Sequence, residues 1–121
     1  MITLILAAVL AATNAPCRVE AVVTAYCPCR ICCGQYADGV TATGRDARLP
    51  GIAVDPKRIP YGSRVYIPGL GWRTADDTGG AMRQSGRRGI VHIDVRMPNH
   101  KAARLWGVKR LTVTILKKES K

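Results

Sequence analysis

Phenylalanine is absent from the 121 residues, and only two Trp and four Tyr supply aromatic rings. No aromatic platform of the kind that stacks unpaired bases is visible. Acidic residues are scarce as well: eight Asp and Glu stand against nineteen Lys and Arg, giving a net charge of +11. Such a balance predicts a polyanionic partner. The basic residues are spread along the chain and form no single stripe, which argues against nucleic acid. No apolar run reaches the ~18–20 residues needed to span a bilayer, so stable membrane insertion is not expected. Repeats are missing, and so are low-complexity linkers apart from the basic tail "KKESK". A chain of this length forms one small domain around a single core.

Histidine is limited to His92 and His100, solitary in the sequence. Four cysteines crowd into "CPCRICC" (Cys27, Cys29, Cys32 and Cys33), while Cys17 stands apart. The Cys29-x-x-Cys32 spacing suits a metal or a redox pair. Zinc sites usually draw on two separated knuckles, however, and no second Cys or His knuckle follows. Disulfides that pin one loop, with Cys17 joining in, fit an exported domain better. Metal binding and plain thiols remain the alternatives, and the expectation is no metal and no cofactor.

The run from Ile2 to Ala12 is apolar apart from Thr3 and turns polar at Thr13 and Asn14. It resembles the core of a secretory signal with small residues near a cleavage point, although no Lys or Arg precedes it. The expected organisation is residues 1–15 as a signal peptide or apolar N-terminal segment and residues 16–121 as the domain, placed outside the cytoplasm. The alternative for the first segment is a strand or helix packed on the core. An exported basic protein meets a second polyanion, the bacterial wall with its carboxylates and phosphates.

Gly and Pro punctuate the remaining sequence. "EAVVTAY" reads as a strand entering the cysteine loop, and "GIAVD" as a buried strand stopped by Pro56. Arg64–Ile67 and Trp72–Ala75 read as the arms of a hairpin, with Pro68-Gly69 in a type II turn. In "GIVHIDV", Val91, Ile93 and Val95 share one face, and His92 and Asp94 share the other. One helix is expected in "PNHKAARLWG", capped by Asn99, ended by Gly107, with Ala102, Leu105 and Trp106 on one side. "LTVTIL" closes the domain as a last strand. Short strands with one helix point to a mainly β fold, a compact barrel.

Asp55, Asp77 and Asp94 each adjoin a different apolar strand. An acid beside a buried strand is costly unless paired or hydrogen-bonded, so such positions have a reason. Converging at one end of a barrel, clustered carboxylates raise one another's pKa, and one can act as a general acid at neutral pH. Cleavage of a glycosidic bond uses such a set: an acid for the leaving oxygen and a charge to steady the oxocarbenium-like transition state. Asp38 and Asp46 sit in a Gly-rich loop where Asp is an ordinary turn residue. Asp76 competes with its neighbour Asp77, but adjacent strand residues face opposite ways, and Asp77 adjoins the Thr78-Gly79-Gly80 turn. "DTG" also marks aspartic proteases, yet those have apolar residues before the Asp, where this chain has Thr74, Ala75 and Asp76.

Taken in order, "TAYCPC", "CCG", "GVTATG", "GIAVDPKRIPYGSRVYIPG", "ADDTGGA", "HIDVRM" and "AARLWGVKRLTVTIL" resemble the three-aspartate (3D) domain family from about Thr24 to Leu116. The resemblance implies a small six-stranded double-psi β-barrel with one short helix, related to membrane-bound lytic transglycosylase A and the stationary-phase muralytic proteins. It matches the family's aspartates at Asp55, Asp77 and Asp94. It implies cleavage of the MurNAc–GlcNAc bond of peptidoglycan without water, leaving a 1,6-anhydro end. Asp94 is the expected acid/base, Asp77 its nearest partner, and Asp55 a tuning or orienting group. Thr41, Thr78 and Gly79 are expected at the substrate, with Tyr26 stacking on a sugar or serving as a core-edge residue. Peptidoglycan strands are the expected partner of a monomer. The segment "AMRQSGRRGIV" is richer in Arg than the family pattern, with Arg83, Arg87 and Arg88 positioned for peptide carboxylates or simply exposed. The competing reading is a non-catalytic, expansin-like wall-binding module.

Overall fold

The computed structural model describes residues 15–29 and 38–118. The apolar segment at residues 1–14, together with Cys32 and Cys33, lies outside them. Six strands form the architecture: β1 (Cys17–Tyr26), β2 (Ile52–Ala53), β3 (Arg64–Ile67), β4 (Gly71–Asp77), β5 (His92–Arg96) and β6 (Lys109–Leu116). They close into a barrel in the order β1-β5-β2-β4-β3-β6. β1 runs parallel to β5 and β2 parallel to β4, and the remaining pairings are antiparallel. This is the mainly β, double-psi type of barrel expected from the motif order.

Period-two patterning fills the barrel. Val65 and Ile67 of β3, Ile93 and Val95 of β5, and Val113 and Ile115 of β6 point inward with Val23, Ile52 and Val54. Each such side chain contributes about 1.5–3 kcal/mol by leaving water, so β-branched residues suffice where phenylalanine is missing. The hairpin forms as expected: β3 and β4 pair antiparallel. Leu70 N–H donates to Ile67 O at 2.9 Å, and Gly69 takes φ +88°. Only glycine accepts that dihedral cheaply at the third position of a type II turn.

Among the described residues two helices flank the barrel, where one was expected. The first in chain order, α1 (Gly80–Arg87), was not expected and buries only Met82 and Gly86. Its polar, arginine-rich sequence carries no apolar stripe, which is why periodicity does not reveal it. Gly86 packs so closely on Asp55 that a methyl there would collide with its carboxylate. The expected helix is α2 (His100–Trp106). Asn99 Oδ1 accepts the Ala102 N–H at 2.8 Å, and Gly107 follows at φ +71°. Its inward face differs from the expected one: Ala103 is buried and Trp106 half-buried, while Leu105 is 77% exposed. Trp106 fastens the helix to β1 by donating its indole N–H to Val23 O at 3.2 Å. Among the described residues, no helix is long and apolar enough to cross a membrane.

Candidate functional site

A groove of about 670 Å³ opens on the barrel, with Tyr26, Thr41, Asp77, Thr78, Gly79 and Asp94 among its lining residues. The parallel pairing of β1 and β5 sets Thr24 beside Asp94. The Thr24 hydroxyl donates to Asp94 Oδ1 at 3.0 Å and also meets His92 Nε2 at 2.9 Å. Ser85 of α1 holds the other ring nitrogen of His92 at 3.1 Å. Burial pushes the Asp94 carboxyl above the usual carboxylate range. The Thr24 hydrogen bond and His92 pull the other way, and the charge of Asp77 adds to the rise. A carboxyl so placed holds its proton at higher pH than a solvated one.

Asp77 ends β4 and receives three donors. Tyr26 donates its hydroxyl to Oδ2 at 2.8 Å, while the Ala42 and Thr78 N–H groups each reach Oδ1 at 2.9 Å. Its neighbour has the opposite fate. Asp76 is 1% exposed and receives both Nη atoms of Arg96, at 3.0 and 2.7 Å, and Arg45 at 2.8 Å. A register shift explains the divergence. Ile52 and Ala53 of β2 face Ala75 and Asp77 of β4, so Asp76 is the extra residue of a bulge. Bulges re-aim side chains, and here Ala75 and Asp76 are both buried while Asp77 is left to the groove.

Tyr26 links the two arrangements. Its hydroxyl accepts from Arg96 Nη1 at 3.0 Å and donates to Asp77. Burial raises its pKa well beyond the ordinary tyrosine value, against the hydrogen bond and charge of Arg96. Arg96 is itself buried; although burial works against its charge, the bonds to Asp76 and Tyr26 raise its pKa above that of an ordinary arginine. The ring of Tyr26 lines the groove, but its polar end is committed to the protein.

The other expected residues are distributed as follows. Thr41 lines the groove at 7% exposure, its hydroxyl accepting the Arg45 N–H at 3.1 Å. The Thr78 hydroxyl donates to Val54 O at 2.7 Å and accepts from Arg83 at 3.1 Å. Its backbone, not its hydroxyl, serves Asp77. Gly79 lines the groove and caps α1. Asp55 is not in the groove. It lines a separate depression of about 440 Å³ with Cys17, Lys57, Arg58 and Gly86. Its Oδ1 accepts the Lys57 N–H at 3.1 Å, and its carbonyl accepts from Arg58 and Ile59. β2 ends at Ala53, short of the stop expected at Pro56, and this acid folds the turn that follows. Arg83 faces the groove, whereas Arg87 faces the depression.

Asp38 and Asp46 behave as turn residues. Asp38 accepts the Val40 N–H at 3.1 Å, and Asp46 accepts both the backbone and the guanidinium of Arg48. Those hydrogen bonds hold Asp46 down to about 2. Thr24, His92 and Arg96 are the groove's supporting residues that sequence reasoning does not find. Their polar side chains on strands were visible, but the pairing of β1 with β5 was not.

The cysteines also depart from expectation. Cys17 is exposed at the start of β1, whereas Cys27 follows its end. At roughly 3.3 Å per residue a strand of this length is about 30 Å long, far beyond the reach of a disulfide. Cys17 therefore does not pair with Cys27 or Cys29, and Cys32 and Cys33 lie outside the described residues. His100 is not solitary: its ring lies with the thiols of Cys27 and Cys29, all ligand atoms within 4.8 Å of one another.

A profile described as the 3D domain matches residues 51–117, more than half of the chain. The cell wall-binding protein YocH of Bacillus subtilis (strain 168) is 48% identical over 82 residues, covering 64% of this chain and 26% of its own length. The putative cell wall shaping protein YabE of the same organism is 39% identical over 95 residues, covering 77% of this chain and 21% of its own. The chain thus spans about a quarter or less of the curated relatives that it matches.

Proposed function

The chain belongs to the 3D domain family, and we propose that it is a peptidoglycan lytic transglycosylase with Asp94 as acid and base. The relatives are named for cell-wall binding and shaping, which puts the wall polymer first among candidate substrates. The observation carrying the catalytic reading is one groove in which a carboxyl with a raised pKa shares a wall with a second, well-anchored carboxylate.

The Asp94 proton passes to the glycosidic oxygen as the C1–O bond breaks. The C6 hydroxyl of the same sugar then closes on C1, and its proton returns to Asp94. No water enters, because the attacking hydroxyl is already part of the substrate. Asp77, fixed by Tyr26 and two backbone N–H groups, steadies the positive charge that develops at C1. Thr24 orients Asp94 through one oxygen. Asp55 acts at a distance in this reading, shaping the turn after β2 and the seat of α1 without touching sugar. A location outside the cytoplasm, at the wall, follows from the same substrate.

Incubation with purified sacculi should release 1,6-anhydro muropeptides, identified by mass. Asp94→Asn should abolish that product while sacculus pull-down persists. A second reading, a non-catalytic wall-binding module, draws on the printed name of YocH and on the +11 charge. Sacculus binding by folded protein with no soluble anhydro product would establish that reading and remove the first.

A further inference from the structure

We propose that Cys27, Cys29 and His100 form a structural metal site of the zinc type, where β1 and β5 run out of the barrel. Parallel strands end on the same side, and Tyr26 and Arg96, the last residues of the two, are register partners. The pairing continues one step further, Met97 N–H donating to Tyr26 O at 2.7 Å. The segments leaving the two strands therefore start side by side. One carries Cys27 and Cys29, and the other turns into α2 with His100 as its first residue. Their two thiol sulfurs and an imidazole nitrogen gather within 4.8 Å of one another.

The donor set selects the ion. Two thiolates and an imidazole suit zinc or a similar borderline-soft metal and offer nothing to magnesium or calcium, which require oxygen. Zinc–sulfur bonds of about 2.3 Å in a tetrahedron place two sulfurs about 3.8 Å apart. The present cluster, with its ligand atoms all within 4.8 Å of one another, lies close to that spacing. Cys27 is 1% exposed, so an ion held by its sulfur would be shielded from water on that side. A second His or Cys knuckle is missing from the local sequence because the imidazole comes from the far side of the chain. The fourth position of the tetrahedron is not assigned; Cys32 and Cys33 lie outside the described residues. Such an ion would clamp the chain just after Tyr26, the residue whose hydroxyl reaches Asp77.

The full chain, purified with reductant and without chelator, should carry about one zinc per chain by plasma mass spectrometry. Exchange with Co²⁺ should give the visible bands of a tetrahedral thiolate site. His100→Ala and Cys29→Ser should each lose most of the metal, and His100→Cys should retain it with an altered cobalt spectrum. Chelator should lower the wild-type melting temperature and leave that of His100→Ala unchanged. Three results would each overturn the site. They are reduced protein that takes up neither zinc nor cobalt, undiminished metal in His100→Ala, or peptide masses placing Cys27 or Cys29 in a disulfide in the purified protein.

Discussion

Replacing Asp76 with asparagine removes one charge from the best-buried ion pair among the described residues. Asp76 and Arg96 are each 2% exposed at the side chain, and they meet through two hydrogen bonds. Asparagine keeps the shape, but its NH₂ group faces a guanidinium that also only donates. Arg96 then remains buried without a counter-charge, a loss of about 3–5 kcal/mol for pairs of this kind. The Arg45 contact adds little, since that side chain is 39% exposed and screened by solvent. For a domain of roughly a hundred residues, about 4–6 °C per kcal/mol corresponds to a fall in Tm of roughly 12–30 °C. Asp77→Asn should cost far less, about 1–1.5 kcal/mol, because the amide oxygen still accepts hydrogen bonds and the group faces the groove. Urea unfolding followed by tryptophan fluorescence at one pH measures both. Replacing Asp76 and Arg96 together with methionine should recover most of the loss. Equal costs for the two asparagine variants, or a loss under about 1 kcal/mol for Asp76→Asn, would refute the assignment of one aspartate to the core and the other to the groove.

Asp94 carries a pH signature. Its folded pKa is raised, so its contribution to stability is complete below the ordinary carboxylate value and is lost as pH rises through the folded value. Asp94→Asn should therefore gain stability relative to the parent as pH rises from about 4 to 7, measured as the difference in urea midpoint; a constant difference would contradict the raised pKa. If Asp94 supplies the proton, sacculus cleavage should fall as pH climbs past that value. Asp77→Asn removes a charge that raises Asp94, so the residual activity should decline at lower pH than in the parent. Gly51→Ala places a methyl against the Arg96 guanidinium and the Asp76 carboxylate. It should destabilise by at least about 1–3 kcal/mol, as overpacking does, and Asp76→Asn should lessen that cost if the ion pair is what the methyl disturbs.

Local chemistry was legible in the sequence wherever it was short-range. Pro68-Gly69 specifies its turn, Asn99 and Gly107 bracket α2, and alternating β-branched residues mark the inner faces of β3, β5 and β6. The preference for Asp77 over Asp76 came from the pleat. In the structure Asp77 lines the groove and Asp76 is buried, and it is a bulge opposite β2 that separates the two. What escaped depends on which strands become neighbours. Thr24 supports Asp94, and His100 reaches Cys27, only because β1 lies parallel to β5. Asp55 looked equivalent to the other two aspartates because each follows an apolar strand. In the structure it lies instead against Gly86, on the depression and away from the groove. α1 was hidden because glycine and arginine dominate it, and two buried positions are too few to make a stripe.

Cys17 opens the first strand, Ile115 lies opposite it near the end of the last, and both border the depression that holds Asp55, as does Lys117. None of the three borders the groove. The start of the first strand and the end of the last therefore lie together, clear of the cleft between Asp77 and Asp94. A tether fixed there would hold the barrel by its back and leave its mouth turned toward a long polymer.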